Sequence, residues 1–278
     1  MKSIEINSPC KINFGLNVVR KREDGFHDIE TVFMPIDLAD KIYFKISAIK
    51  SFRTNNAQLN EEGNNLITKA IALLEEKFGR EFNLEIRLEK NIPLGAGLGG
   101  GSSNAAVTLL SVIELLGLEL SQEELNYLAL KLGSDVPFFL QQSACFATSR
   151  GEILTPINFE MNLPVLIVNP GIHISTKWAY QNVTPANPVY SLKNLAGFDM
   201  TEIGKLTGKV VNDFEPKCFE AFPELKTIKE NLYSQGALFA LMTGSGSSMF
   251  GVFPDYAAAL EAEKIYKDRF FTYINFNQ

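Results

Sequence analysis

Pro93-Leu94-Gly95-Ala96-Gly97-Leu98-Gly99-Gly100-Gly101-Ser102-Ser103-Asn104-Ala105-Ala106 is the stretch on which the reading of this chain turns. Five glycines fall in the seven positions 95–101. Glycine loses more conformational freedom on folding than any other residue, so this density marks a backbone that must stay slim or adopt positive φ. Before the loop, Leu84, Ile86 and Leu88 alternate with Glu85, Arg87 and Glu89, the pattern of a half-exposed strand. After it, SSNAAVTLLSVIELLG reads as a helix. A glycine turn from strand into helix bares the first helical N–H groups and the positive end of the helix dipole, which suits phosphate oxygens. Pro93, Gly95, Gly97, Leu98, Gly99, Gly100 and Gly101 therefore form a candidate polyphosphate loop, with hydroxyls from Ser102 and Ser103. A plain tight turn with a capping serine needs one or two glycines, not five. No Gly-Lys-Ser/Thr follows, so the loop is not a Walker A sequence. Nor is it a dinucleotide fingerprint, because Gly97, Gly99 and Gly100 are crowded and no acidic ribose partner sits after a second parallel strand.

Composition narrows the partners. The chain has 278 residues, 46% hydrophobic and 21% charged, enough apolar material for one large domain or two medium ones. A formal net charge of -6 supplies no general pull toward nucleic acid or anionic lipid, so a phosphorylated ligand must be met by local donors. Cys10, Cys145 and Cys218 show no CxxC spacing and leave one thiol over in any pairing, which suits reduced thiols in a cytoplasmic protein. With two histidines, His27 and His173, a zinc site has few ligands to draw on. No apolar run approaches ~18 residues, and the N-terminus lacks a signal peptide's apolar region, so neither a membrane span nor secretion is expected.

The chain begins with expected strands at Ile4–Ile6, Lys11–Val19, Ile29–Asp37 and Lys41–Ile46, with a hairpin turn at Asp24-Gly25. Asn64-Asn65 leads into LITKAIALLEEKFG, a helix ending at Gly79. SQEELNYLALKLG carries a capping box, Ser121 with Glu124. SDVPFFLQQS begins another helix or turn; strands CFATSR, EILTPI and LPVLIVNPG follow. Helices (NDFEPKCFEAFPELKTIKENLYSQG, AAALEAEKIYKD) and strands (ALFALMTGSG, SSMFGVF, FFTYINF) complete it. A change of unit near Asn158–Leu163 divides the chain into 1–158 and 159–278.

Gly97-Leu98-Gly99-Gly100-Gly101-Ser102-Ser103 resembles the signature loop of the GHMP kinases, the superfamily of galactokinase, homoserine kinase and mevalonate kinase. Ser8-Pro9-Cys10-Lys11-Ile12-Asn13 resembles its first motif, and Thr243-Gly244-Ser245-Gly246-Ser247-Ser248 its third. Read alone, that third stretch serves equally as a hairpin. The resemblance implies an α+β, two-domain fold: an N-terminal ATP-binding domain like the second domain of ribosomal protein S5, and a ferredoxin-like C-terminal domain. ATP and substrate are then expected in a cleft between them. Ser8–Val18 followed by Arg22-Glu23-Asp24-Gly25-Phe26-His27 and Glu30-Thr31-Val32-Phe33 is most similar to the branch that phosphorylates a cytidylated methylerythritol on the non-mevalonate isoprenoid route. Cys10 departs from that pattern's usual alanine, Phe26 from its common tyrosine, and Gly15 lies within the first strand.

The resemblance also implies roles. Asp135, in Gly133-Ser134-Asp135-Val136-Pro137-Phe138-Phe139, accepts the acceptor hydroxyl's proton, and Lys11 orients that hydroxyl and offsets charge on the transferring phosphoryl. His27 bonds the cytosine edge with Phe26 and Tyr180 on the ring faces. Asn13 contacts the polar end of the substrate, Gly244 and Ser245 belong to the substrate-binding third motif, and Asn65 and Leu66 lie near adenine. On residue chemistry alone each has a plainer role. Asp135 before Val136-Pro137 suits a helix N-cap, Lys11 a solvated strand lysine, His27 an exposed hairpin residue, and Phe26 and Tyr180 packing. His173 and Trp178 read as structural. ATP is the expected co-substrate, with magnesium whose ligands the sequence does not name. Another GHMP kinase, a non-catalytic nucleotide-binding regulator or a phosphate-dependent decarboxylase on this scaffold are the competing readings. Monomer and homodimer both remain open.

Overall fold

Two compact units emerge from the chain's internal contacts in the computed structural model, which describes residues 2–62, 65–141 and 143–276. Asn64 lies outside the described residues. The first unit gathers residues 1–10, 37–94 and 99–142; the second gathers 11–36, 95–98 and 143–278. This differs from the expected division into 1–158 and 159–278. Its cause is visible in the first two strands, β1 (Ser3–Lys21) and β2 (His27–Ile46), each of which passes from one unit into the other. The glycine loop does the same between Leu98 and Gly99.

β1 and β2 each replace two shorter expected strands. Asp37 and Asp40 suggest a break between Ile29–Asp37 and Lys41–Ile46. Asp40 instead stays in the strand, fully buried, because Lys90, Asn104 and two backbone amides satisfy its carboxylate.

In the first unit the later part of β2 pairs antiparallel with β4 (Leu84–Glu89), from Lys41↔Glu89 to Ile46↔Leu84, and β3 (Ser51–Thr54) runs parallel to β4. β4 buries Leu84, Ile86 and Leu88 as its alternation predicts. Of helices α1 (Ala57–Glu62), α2 (Leu66–Phe78), α3 (Gly100–Leu116) and α4 (Gln122–Leu132), the last three pack on one another. α4 opens on the Ser121–Glu124 capping box. A 3-10 turn, Val136–Leu140, packs against α3 and α4.

The second unit contains β5 (Cys145–Thr148), paired with β2 through Thr31↔Ala147, and β6 (Ile153–Pro156), paired with β5. It also holds β7 (Val165–Asn169), α5 (Thr176–Asn182), α6 (Glu215–Ala221), α7 (Pro223–Ser234), β8 (Phe239–Met242), β9 (Met249–Val252), α8 (Tyr256–Glu263) and β10 (Phe271–Asn275). The single helix expected over 212–236 is two, because Pro223 has no N–H to continue α6 and starts α7 instead. The antiparallel order β10-β7-β9-β8 is the ferredoxin-like arrangement. Its core includes Leu166, Val168, Ile228, Leu232 and Phe253, and extends to Leu16, Val18 and Ile29 of β1 and β2. The strand that carries Lys11 and Asn13 is thereby anchored in a hydrophobic core.

Candidate active site

α3 starts at Gly99, whose φ is 71° and which offers no side chain to cap the helix. The first intrahelical bond runs from Ser103 N–H to Gly99 O at 2.9 Å, so the N–H groups of Gly100, Gly101 and Ser102 have no helical acceptor. These are the donors expected for phosphate. Ser103 departs from expectation: it is fully buried and its Oγ lies 2.8 Å from Ser8 Oγ. Asn104 Nδ2 donates to Ser8 Oγ and to Asp40 Oδ2, each at 2.9 Å. Asp40 also accepts from the N–H groups of Asn91 and Ile92 and from Lys90 Nζ. Burial lowers the Lys90 pKa, and the Asp40 carboxylate partly restores it. One buried carboxylate thus ties the approach to the glycine loop to the helix that follows it. Ser8 and Asn104 lie inside motifs read from the sequence and Asp40 and Lys90 outside any, and only the fold brings the four together.

Beside this helix start, Leu59, Asn65, Leu66, Leu88, Lys90 and Gly101 line a partly open cavity of about 190 Å³. Asn65 has two roles here. Its Oδ1 caps α2, accepting from Ile67 N–H at 3.0 Å and Thr68 N–H at 3.1 Å, while its buried Nδ2 has no hydrogen-bond partner. An orphan buried donor beside a mostly apolar cavity fits a heteroaromatic base acceptor. Two substitutions separate the roles. Asn65→Ala should lose about 1 kcal/mol of stability with the cap and weaken ATP binding. Asn65→Asp should keep the cap, seen as an unchanged melting temperature, yet raise the ATP KM about fivefold through the lost donor.

In the second unit Lys11 is only 3% exposed, so the solvated strand lysine is not what forms. Its Nζ donates to Asn13 Oδ1, sits 3.4 Å from Gly97 O and lies 5.0 Å above the Phe33 ring. Asn13 is buried and engaged on both sides. Its Nδ2 donates to Thr31 Oγ1 at 2.9 Å, and its backbone N–H donates to Thr243 Oγ1 at 2.9 Å. Thr243 Oγ1 in turn lies 3.2 Å from Gly97 O. Asn13, expected to touch substrate, therefore holds the lysine. Gly97, at φ 77°, lies against the third motif so closely that an added Cβ would stand 2.2 Å from Thr243 O. The structure thus brings Lys11, Asn13, Gly97 and the start of the third motif together, with Thr31 and Thr243 as buried braces. Thr243 lay inside a recognised motif, but its hydroxyl gained meaning only from its neighbours.

The other expected residues form two groups. Asp135, in the first unit, is half-buried at the N-cap position of the Val136–Leu140 turn, yet its side chain makes no capping hydrogen bond. The N-cap position expected from Val136-Pro137 is thus taken, without the side-chain bond of a cap. In the second unit Gly244 O accepts from Asn212 Nδ2 at 2.9 Å, and Ser245 Oγ lies 3.1 Å from Thr176 Oγ1. His27 stacks on Tyr180 with centroids 4.9 Å apart, and Tyr180 meets the Phe214 ring edge-on. Burial first, and the Lys21 ammonium second, push the His27 pKa below its ordinary value of 6.5, which favours the neutral ring. Phe26 remains half exposed. His173 is exposed, with its Nδ1 2.9 Å from where a Gly95 Cβ would be; it fills that space. Trp178 packs on the core and edge-on to Phe222, a structural residue as expected.

Helix-start amides without helical acceptors, a cavity beside that helix start and a buried lysine against Gly97 are features of a small-molecule kinase of the GHMP class. The profile for the GHMP kinases N terminal domain matches residues 65–143, and that for the GHMP kinases C terminal matches residues 191–271. The chain belongs to the 4-diphosphocytidyl-2-C-methyl-D-erythritol kinase family. It is 42% identical to that kinase from Azobacteroides pseudotrichonymphae genomovar. CFP2 over 88% of this chain and 91% of the relative. With the Geobacter sp. (strain M21) kinase it shares 38% identity over 94% of each. A crystal structure of 4-(cytidine 5'-diphospho)-2C-methyl-D-erythritol kinase superposes with a TM-score of 0.83 at 32% identity, covering 98% of both chains. Homoserine kinase from Cytophaga hutchinsonii, at TM-score 0.72 and 20% identity over 99% of this chain and 95% of its own, shares the fold. The α+β, two-domain GHMP kinase fold is therefore the fold of this chain.

Proposed function

We propose that this chain transfers the γ-phosphoryl group of ATP to the 2-hydroxyl of 4-diphosphocytidyl-2-C-methyl-D-erythritol, giving the 2-phosphate and ADP. The observation that carries the reading is the Lys11 ammonium, buried on an anchored strand and aimed at the carbonyl of Gly97 in the glycine loop. Phosphoryl transfer requires mainly positioning and charge stabilisation, and a fixed cation beside a phosphate loop supplies both. Lys11 orients the acceptor hydroxyl and offsets charge on the moving phosphoryl group, with Asn13 and Thr243 holding it in place. Asp135, its carboxylate not used as a helix cap, takes the hydroxyl proton. The amides of Gly100, Gly101 and Ser102 receive the phosphates, and Asn65 and Leu66 lie beside the base.

ATP fits this donor set. Magnesium would arrive with the triphosphate and neutralise part of its charge. Among the described residues no group of three acidic, histidine or cysteine side chains is placed to hold an ion, and we assign it no protein ligand. At the other end of the substrate, the neutral His27 ring has one donor and one acceptor nitrogen, matching the mixed edge of cytosine. Phe26 offers a ring face. Because His27 already covers one face of Tyr180, Tyr180 supports the histidine as much as it would a base. This aromatic group favours the cytidylated substrate over mevalonate or homoserine. Three buried, unbridged thiols suit a cytoplasmic enzyme.

Nucleotide-dependent turnover tests the reading directly. ATP consumption should be selective for the cytidylated substrate over mevalonate and homoserine. Equal turnover of all three, or preference for one of the latter, would reject it.

A further inference from the structure

Between β5 and β6 the chain turns at residues 148–151, closed by Gly151 N–H to Thr148 O at 3.0 Å. Ser149 sits there at φ 60°, the one non-glycine residue in the left-handed region among the described residues. Serine gains nothing from that conformation, so its surroundings must hold it there. Ser149 O accepts from Ile29 N–H at 2.7 Å. Its hydroxyl accepts from Arg22 Nη1 at 2.9 Å and donates to Glu152 Oε1 at 3.0 Å. Arg22 also pairs with Asp24 and Asp28. The turn is thus laced to the tip of the β1–β2 hairpin, all within the second unit.

The result of this lacing is the placement of Arg150. Its backbone N–H donates to Glu152 Oε2 at 2.7 Å, and its guanidinium lies over the Phe26 ring, 4.7 Å from the centroid. Phe26 is 51% exposed and meets no other aromatic ring among the described residues. A half-exposed phenyl ring on a hairpin tip would otherwise rotate freely, and stacking a base on it would cost that freedom.

We propose that Arg150 is a positioning residue for substrate selection: it backs one face of Phe26 and leaves the other as a fixed platform for the planar base of the cytidylated substrate. This rests on the function proposed above and deepens it. Cation–π attraction to the ring holds the platform, and the strained turn at Ser149 holds the cation. The effect appears in binding of the base and not in the chemical step, which takes place at Lys11.

A double-mutant cycle tests it, using the full chain. Arg150→Ala should raise the KM for the cytidylated substrate about three- to tenfold, the range of one cation–π contact. Its kcat, ATP KM and melting temperature should stay near wild type. Phe26→Ala should raise the same KM at least as much, and adding Arg150→Ala to it should change nothing further, because Arg150 acts through the ring. Arg150→Lys should recover part of the loss. An unchanged KM in Arg150→Ala, or effects that multiply in the double variant, would overturn the proposal. Calorimetric binding of CDP to the same four proteins reads the coupling without turnover. Wild-type selectivity in the ATP-consumption assay judges the proposed function separately.

Discussion

Asp135→Asn is expected to lower kcat by about 10²- to 10⁴-fold, the usual contribution of a positioned general base. Asparagine keeps the size and one acceptor of the aspartate but has no carboxylate to take a proton. The structure sharpens this expectation by removing the competing explanation. Asp135 stands at the N-cap position with φ -82° and ψ -14°, and its side chain makes no capping bond to the Val136–Leu140 turn. The exchange therefore forfeits no cap. ATP affinity, which the proposed function assigns to the helix α3 amides and Asn65, should hold. Steady-state kinetics with calorimetric nucleotide titration checks both. Full turnover in Asp135→Asn would remove Asp135 from the chemistry.

Among the described glycines, Gly97→Ala brings an added methyl nearest to another atom, and it should damage both stability and turnover. Gly97 has φ 77°, where an L side chain costs about 1–2 kcal/mol. The added methyl would also stand 2.2 Å from Thr243 O and 3.0 Å from Gly246 O, both backbone atoms with no rotamer to yield. Together these predict a loss of about 3 kcal/mol or more of stability. The loop can relieve the overlap only by moving off Thr243, which breaks the 3.2 Å contact from Thr243 Oγ1 to Gly97 O and shifts the carbonyl beside Lys11. Misplacement of about 1 Å costs on the order of 10²-fold in rate, so kcat/KM should fall at least that far. Gly79→Ala is the control. Gly79 has φ 62° but nothing within 4 Å of an added Cβ, so only the conformational cost of about 1 kcal/mol remains. Thermal unfolding and kcat/KM of the two variants separate overlap from strain. Equal effects would mean the loop does not depend on its closeness to the third motif.

Much of the architecture was open to reading from local pattern. The glycine-rich turn from strand β4 into helix α3 formed as read. The Leu84-Ile86-Leu88 alternation and the Ser121–Glu124 box each act through neighbours two to four positions away, and both formed as read. Local pattern misjudged the strand breaks around Asp40, because the residues that satisfy its carboxylate lie 50 to 64 positions further along. It also left out the protein partners of Ser103 and Asn13. Nothing near Ser103 in the chain says that its hydroxyl turns inward to Ser8, 95 positions away.

Short-range chemistry by itself determined the glycine loop, the helix it feeds, the half-buried strand before it and the hairpin at Asp24-Gly25. Periodicity and backbone freedom are properties of consecutive residues, so these required no partner. Tertiary structure alone decided that Lys11 is buried and held by Asn13, that Gly97 lies against Thr243, and that Arg150 faces Phe26. Lys11 and Asn13 are two positions apart, but their further partners lie 86 and 230 positions away, and the other two contacts span 146 and 124 positions, so a charge or ring finds its function only when the fold supplies the atoms around it.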